Sequence, residues 1–152
     1  MESAAPQFLP KAPPASSVNV RSVMQGNRKR DTRPEMAVRR AVHRLGLRYR
    51  VARRPLPGQR FTADLVFPAA RVAVFIDGCF WHGCSEHFTP PRTNASYWGP
   101  KIARNQVRDV AAMATLRAAG WVGLRIWEHE PPDSAARCIA KTVRDAQGLQ
   151  GA

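Results

Sequence analysis

A chain of 152 residues, 44% hydrophobic and with no apolar run near 18 residues, has the size of one soluble domain and no segment fit to cross a bilayer as a helix. Its net charge of +13 is unevenly placed: residues 21 to 60 hold thirteen Arg and Lys against Asp31 and Glu35, while from 61 onward ten basic residues meet eight acidic ones. Clustered basic charge is the footprint of phosphate contacts, each of which releases counterions, so the expected partner is nucleic acid and not a membrane.

Residues 1 to 20, with Pro6, Pro10, Pro13 and Pro14 among Ala and Ser, read as a disordered tail without the layout of a signal peptide. A single folded domain is expected over 21 to 147, followed by a flexible end at 148 to 152. Thr32-Arg33-Pro34-Glu35 forms a capping box with proline at the first helical position. Val38, Ala41, Val42 and Leu45 then repeat at helical spacing up to Gly46, with Glu35 on the face of Val38, Val42 and Leu45.

Extended stretches follow at 48 to 52 and 62 to 67, and the apolar run from Arg71 to Asp77 suits a central strand. No period is visible between Gly78 and Trp98. Pro100 is expected to open a helix whose buried stripe is Ala103, Val107, Val110 and Ala114, closed by Gly120. A last strand spans Trp121 to Glu128, and Asp133 or Ser134 caps a terminal helix reaching about Gln147. This order implies an α/β or α+β sandwich, a sheet covered by helices.

The segment Asp77 to Phe88 is the most specific in the chain. Cys79, Cys84 and His87 form a Cys-x4-Cys-x2-His array whose sulfur and imidazole donors suit structural Zn²⁺. Three cysteines in a basic chain point to metal binding or buried thiols sooner than to disulfides, and to the cytoplasm or nucleoid. A fourth ligand comes from His129, just past the last strand, or from Cys138. His129 is preferred, because Cys138 before Ile139 reads as a small buried residue.

His82 lies between the ligands, free for acid/base work. Asp64 and Asp77, on neighbouring strands, can meet at one sheet edge and offer hard oxygens to Mg²⁺. Asp109, four residues after Asn105 on the long helix, can orient an imidazole. Phe80, Trp81 and Trp98 border this polar loop and suit a wedge between base pairs.

These segments, with Arg30-Asp31-Thr32-Arg33-Pro34-Glu35, Leu56-Pro57-Gly58, Asp64-Leu65-Val66, Gly78-Cys79-Phe80-Trp81-His82, Trp98, Lys101-Ile102, Asn105, Arg108-Asp109 and Gly120 through Glu128, resemble the very-short-patch-repair DNA mismatch endonucleases over about residues 21 to 130. The resemblance implies a restriction-endonuclease-like fold, a central mixed sheet flanked by helices with a structural zinc site. It also implies a Mg²⁺-dependent nick on the thymine strand of a T:G mismatch in double-stranded DNA, the lesion left by deamination of 5-methylcytosine. Asp64 then corresponds to the magnesium ligand, His82 to the catalytic histidine, Glu35 and Asp109 to supporting acids, with Asp77 beside them. Phe80, Trp81 and Trp98 correspond to intercalating rings, and Cys79, Cys84 and His87 to the zinc clip, with His129 where members often carry cysteine. Arg28, Lys29, Arg30, Lys101 and Asn105 are expected to meet DNA, and the enzyme is expected to act as a monomer, with downstream repair proteins as possible partners.

Two departures bear on mechanism. The spacing inside the Cys-His loop differs from some members, and Val74-Phe75-Ile76-Asp77 lacks the Glu-x-Lys usual on the second catalytic strand, so proton chemistry falls to His82. Two other readings are a zinc-stabilised DNA-binding module without catalysis and a restriction or defence nuclease of the same fold. A zinc base deaminase ranks far below both, since His-x-Glu and Pro-Cys-x-x-Cys are absent from the sequence.

Overall fold

The computed structural model describes residues 31–78 and 95–150. Helix α1 (Arg33–Arg44) begins where expected: Thr32, in extended conformation, caps it by accepting the Glu35 N–H at 3.4 Å, with Arg33 at the first helical position and Pro34 at the second. The Glu35 carboxylate closes the box one residue further out, accepting the Asp31 N–H at 2.9 Å. Gly46, at φ +85°, supplies the left-handed turn that stops the helix.

Strands β1 (Arg50–Arg53), β2 (Ala63–Phe67) and β3 (Val72–Asp77) form an antiparallel meander. Helix α2 (Ala95–Ala118) leads to β4 (Val122–Trp127), which pairs parallel to β3 from Val72↔Val122 to Asp77↔Trp127. Helix α3 (Pro132–Gln150) ends the described chain. The sheet order is β1-β2-β3-β4. Parallel β3 and β4 need a crossover, and α2 is part of the connection that makes it.

Two apolar clusters separate the layers. On one sheet face, Val38 and Val42 of α1 and Ile139 and Val143 of α3 pack on Leu65, Val72, Val74 and Ile126. On the other, Leu116 of α2 covers Ala63, Val66 and Ala73, with Phe61, Phe75 and Trp121 around them. The expected mixed sheet flanked by helices is therefore present, with four strands and three helices among the described residues. No helix of the described residues is long and apolar enough to cross a membrane.

Helix α2 departs from expectation twice. It begins at Ala95, so Pro100 lies inside it. Inside a helix proline forgoes one backbone hydrogen bond and crowds the carbonyl four residues back, here that of Ser96, while Gly99, without a Cβ, spares the further clash with the preceding side chain. The expected buried stripe is also wrong: Val107 and Val110 are each 69% exposed, as are Ala103 and Ala114 in class, while Ile102 and Leu116 are buried. The helix is apolar on both sides, and its sheet-facing side also carries Asn105 and Asp109. Periodicity alone picked the side with more valine and alanine. Leu45 is likewise 40% exposed, because it is the residue after the last helical turn.

Candidate active site

The carboxylates singled out above converge at one end of the sheet: where β2 starts, where β3 and β4 finish, and where α1 starts. Asp64, second residue of β2, is partly buried, and its Oδ2 accepts the Ile76 N–H from β3 at 2.6 Å. Burial pushes its carboxyl up from 3.8 to about 6, with the neighbouring Glu35 and Asp77 carboxylates adding to the rise; the Ile76 N–H and the Arg39 guanidinium oppose it. Burial is thus the main cause of the rise, and the two neighbouring carboxylates add to it.

The flanking acids are held by arginines. Glu35, 5% exposed, accepts from Arg39 Nη2 at 3.2 Å one helical turn on, and Arg39 Nη1 reaches Asp31 at 2.7 Å. Arg39 is itself buried, and the Tyr49 hydroxyl donates to its carbonyl at 2.9 Å, tying α1 to the edge of the sheet. Across the sheet, Arg125 of β4 donates through Nε to Asp77, 6% exposed, and through Nη2 to Asp109 at 2.9 Å. One guanidinium therefore fastens the end of β3 to α2. Its face lies 4.3 Å from the Trp127 ring centre, and Trp127 stacks on His129 at 6.4 Å with an interplanar angle of 11°.

Glu35, Asp64, Asp77 and Asp109 thus form one electrostatically connected group, joined through Arg39 and Arg125. His129 stands beside it. The Glu128 N–H donates to the Asp77 carbonyl at 2.9 Å, so His129 lies next to the point where the chain leaves β3 toward Cys79. Lys101, whose Nζ is 3.4 Å from the Tyr97 hydroxyl, and Asn105 lie on α2 toward its start, and Trp98 belongs to the same helix. Arg28, Lys29, Arg30, Cys79, Phe80, Trp81, His82, Cys84 and His87 lie outside the described residues. Cys138, expected to be buried, is exposed on α3, because the helix turns Ala135, Ala136, Ile139 and Ala140 inward instead.

Among the described residues no three His, Cys, Asp or Glu side chains form a ready-made metal cage. One carboxylate of high proton affinity suits a hard divalent cation that keeps its waters and draws its other ligands from substrate phosphate.

The sequence model described as DNA mismatch endonuclease Vsr matches residues 17–87. Type II nicking enzyme V.NaeI of Lentzea aerocolonigenes is 47% identical over 122 residues, 79% of this chain and 74% of its own. Type II nicking enzyme V.XorIIP of Xanthomonas oryzae is 43% identical over 117 residues, 76% of this chain and 84% of its own. DNA mismatch endonuclease Vsr of Escherichia coli is 35% identical over 100 residues, 65% of this chain and 62% of its own. The chain belongs to the Vsr endonuclease family.

It is accordingly an endodeoxyribonuclease, and the non-catalytic reading is set aside. Two arginines that the sequence did not single out, Arg39 and Arg125, hold the acids of this candidate site. A signal for each existed. Arg39 is four residues after Glu35, the spacing of a helical ion pair. Arg125 stands between Leu124 and Ile126 in an otherwise apolar strand, where a charge requires a partner.

Proposed function

We propose that this protein nicks the thymine-bearing strand at T:G mismatches left by deamination of 5-methylcytosine, hydrolysing one phosphodiester with Mg²⁺ in very short patch repair. The observation that carries this reading is Asp64, a partly desolvated carboxylate crowded by two others at one end of the sheet, in a chain related to an enzyme named a DNA mismatch endonuclease.

Asp64 is the carboxylate available to the divalent cation, and the chemistry such an ion supplies is polarisation of the phosphodiester and stabilisation of its developing charge. Glu35 keeps negative charge beside Asp64 and is itself fixed by Arg39. Asp109 and Asp77 share Arg125, which keeps the end of β3 and the middle of α2 in register. His82 takes the proton of the attacking water or supplies one to the leaving oxygen. Phe80, Trp81 and Trp98 enter the base stack, and the basic residues Arg28, Lys29, Arg30 and Lys101, with Asn105, hold the backbone.

Cys79, Cys84, His87 and His129 hold a structural zinc. The hydrogen bond between Glu128 and Asp77 supports His129, since it brings residue 129 next to the chain entering Cys79. Cys138, exposed on α3, has no comparable support. The enzyme works as a monomer in the cytoplasm, on nucleoid DNA.

A second reading draws on the relatives named type II nicking enzymes: a strand-nicking enzyme acting independently of any mismatch. One experiment separates the two. Matched, T:G-mismatched and methylated duplexes are incubated with the protein in Mg²⁺ or EDTA. Mismatch repair predicts a nick on the thymine strand of the T:G duplex only, lost in EDTA, and equal cutting of the matched duplex would favour the second reading.

A further inference from the structure

A groove of about 620 Å³ lies along edge strand β1, lined by Arg50, Arg53, Arg54, Val66, Pro68 and Trp121 among others, with no acidic residue in its walls among the described residues. The three arginines are exposed, and none forms an ion pair among the described residues. The arginines at the candidate active site, by contrast, are paired: Arg39 with Asp31 and Glu35, and Arg125 with Asp77 and Asp109.

The backbone is bent in a way that gathers these side chains. In a regular strand Arg50 and Arg53, three residues apart, would point to opposite faces. Ala52 between them sits in the left-handed region at φ +49°, which interrupts the pleat, and both arginines line the same groove. A non-glycine residue held at positive φ costs roughly 1 kcal/mol or more, so the bend is maintained against a local penalty.

The groove is also placed with respect to the site. Arg53 pairs with Ala63, the neighbour of Asp64, and Arg50 pairs with Val66, so the arginines start beside the carboxylate group and lead away from it. From Asp64 to Pro68 is four residues, about 13 Å at roughly 3.3 Å per residue. At about 3.4 Å rise per base pair, that is about four base pairs of duplex.

We propose that this groove binds the phosphate backbone of the DNA substrate about four base pairs from the scissile phosphate, as a sequence-independent second contact. It rests on the nuclease reading of the Asp64 site. Three forked guanidinium groups match successive phosphates, and the Trp121 ring and Val66 give an apolar floor against which sugar edges can rest. A linear polyanion cut at Asp64 has to continue in some direction, and this basic track, free of ion pairs among the described residues, begins beside Asp64.

The test measures binding of the full chain, without Mg²⁺ so that no strand is cut, to T:G duplexes with flanks of about twelve base pairs or with one flank shortened to about two. Wild type is compared with the triple variants Arg50→Gln, Arg53→Gln, Arg54→Gln and Arg50→Lys, Arg53→Lys, Arg54→Lys. The glutamine variant is expected to bind the long duplex about tenfold more weakly near 0.1 M salt, and its slope of log K against log salt should fall by about 2.7, or roughly 0.9 per lost phosphate contact. The lysine variant keeps the slope. On the duplex lacking the relevant flank all three bind alike. Equal affinity and slope for the glutamine variant and wild type on the long duplex, with wild type nicking normally, would overturn the proposal: the arginines would then only guard the sheet edge or meet an acidic protein. Wild type that neither binds nor nicks the long duplex overturns the nuclease reading instead, and this proposal with it.

Discussion

Asp64 carries opposing demands for stability and activity. Burial raises its carboxyl from 3.8 to about 6, so the folded protein holds a proton more tightly than the unfolded chain does. The stabilisation this gives is complete below pH 3.8 and is lost as the pH rises through about 6, up to about 3 kcal/mol at roughly 1.4 kcal/mol per unit. Thermal melts of the metal-free protein should therefore show a midpoint that falls between pH 4 and 7 beyond the background trend. Asp64→Asn keeps an oxygen for the Ile76 N–H and removes the charge, so it should melt higher than wild type at pH 7 while its nicking disappears. A variant that melts lower at pH 7 would contradict the burial argument, and one that nicks normally would remove Asp64 from the site. Arg125 makes the reverse case. Arg125→Met strips the guanidinium from a buried Asp77 and from Asp109, and should cost about 2 to 4 kcal/mol in denaturant melts. Adding Asp77→Asn should recover 1 kcal/mol or more, and strict additivity of the two changes would show that the pair is not coupled.

At the scale of elements, the packing of α2 on β4 is tightest at Gly123. A Cβ built there would stand 2.5 Å from the Met113 sulfur and 3.3 Å from Leu116 Cδ1. The methionine end can swing aside but the buried leucine cannot, so Gly123→Ala should be mild and Gly123→Val should cost about 1 to 3 kcal/mol. Equal melting of the two variants would mean that the helix lifts freely from the sheet. Ala52 gives the opposite expectation: glycine tolerates positive φ, so Ala52→Gly should raise stability by up to about 1 kcal/mol without altering the groove arginines, and a loss above 1 kcal/mol would mean that the bend is not strained. These two helices and strands also show what a sequence reveals. The capping box at Thr32, the apolar run before Asp77 and the stop at Gly120 each have one physical meaning, and those elements lie within a residue or two of expectation. Helix α2 has apolar residues on two sides and a Gly-Pro pair that suggests a start, so its buried face and its first turns depend on tertiary contacts that spacing does not encode. Asp64 and Asp77 were legible because carboxylates in apolar strands are conspicuous, whereas Glu35, on a helix, was assigned a role by the family resemblance and Asp109 by that resemblance and its spacing from Asn105. Arg39 and Arg125 each carried a signal, the i,i+4 spacing to Glu35 and a charge in an apolar strand, but among twenty arginines such spacings are common and did not stand out.

For the molecule as a whole, two metals of different character imply two different responses to chelation. The proposed zinc ties the segment after β3 to the end of β4, where Glu128 already bonds to Asp77, so its free energy belongs to folding. The proposed magnesium sits at a single carboxylate and exchanges with solvent, so its removal should leave the fold intact. A brief treatment that removes only weakly held ions should stop nicking, and added Mg²⁺ should restore it fully with the melting midpoint unchanged. A strong zinc chelator should lower the midpoint by several degrees and abolish nicking in a way Mg²⁺ alone does not reverse. The ligand set can then be assigned by metal content: wild type and Cys138→Ser should each carry about one zinc per chain, because Cys138 faces solvent on α3, whereas His129→Ala should lose most of it. Full zinc content in His129→Ala together with loss in Cys138→Ser would reverse the assignment. A wild-type protein that is free of zinc yet melts and nicks normally would remove the structural metal altogether, and Arg125 and the Glu128 hydrogen bond would then hold the end of β3 without it.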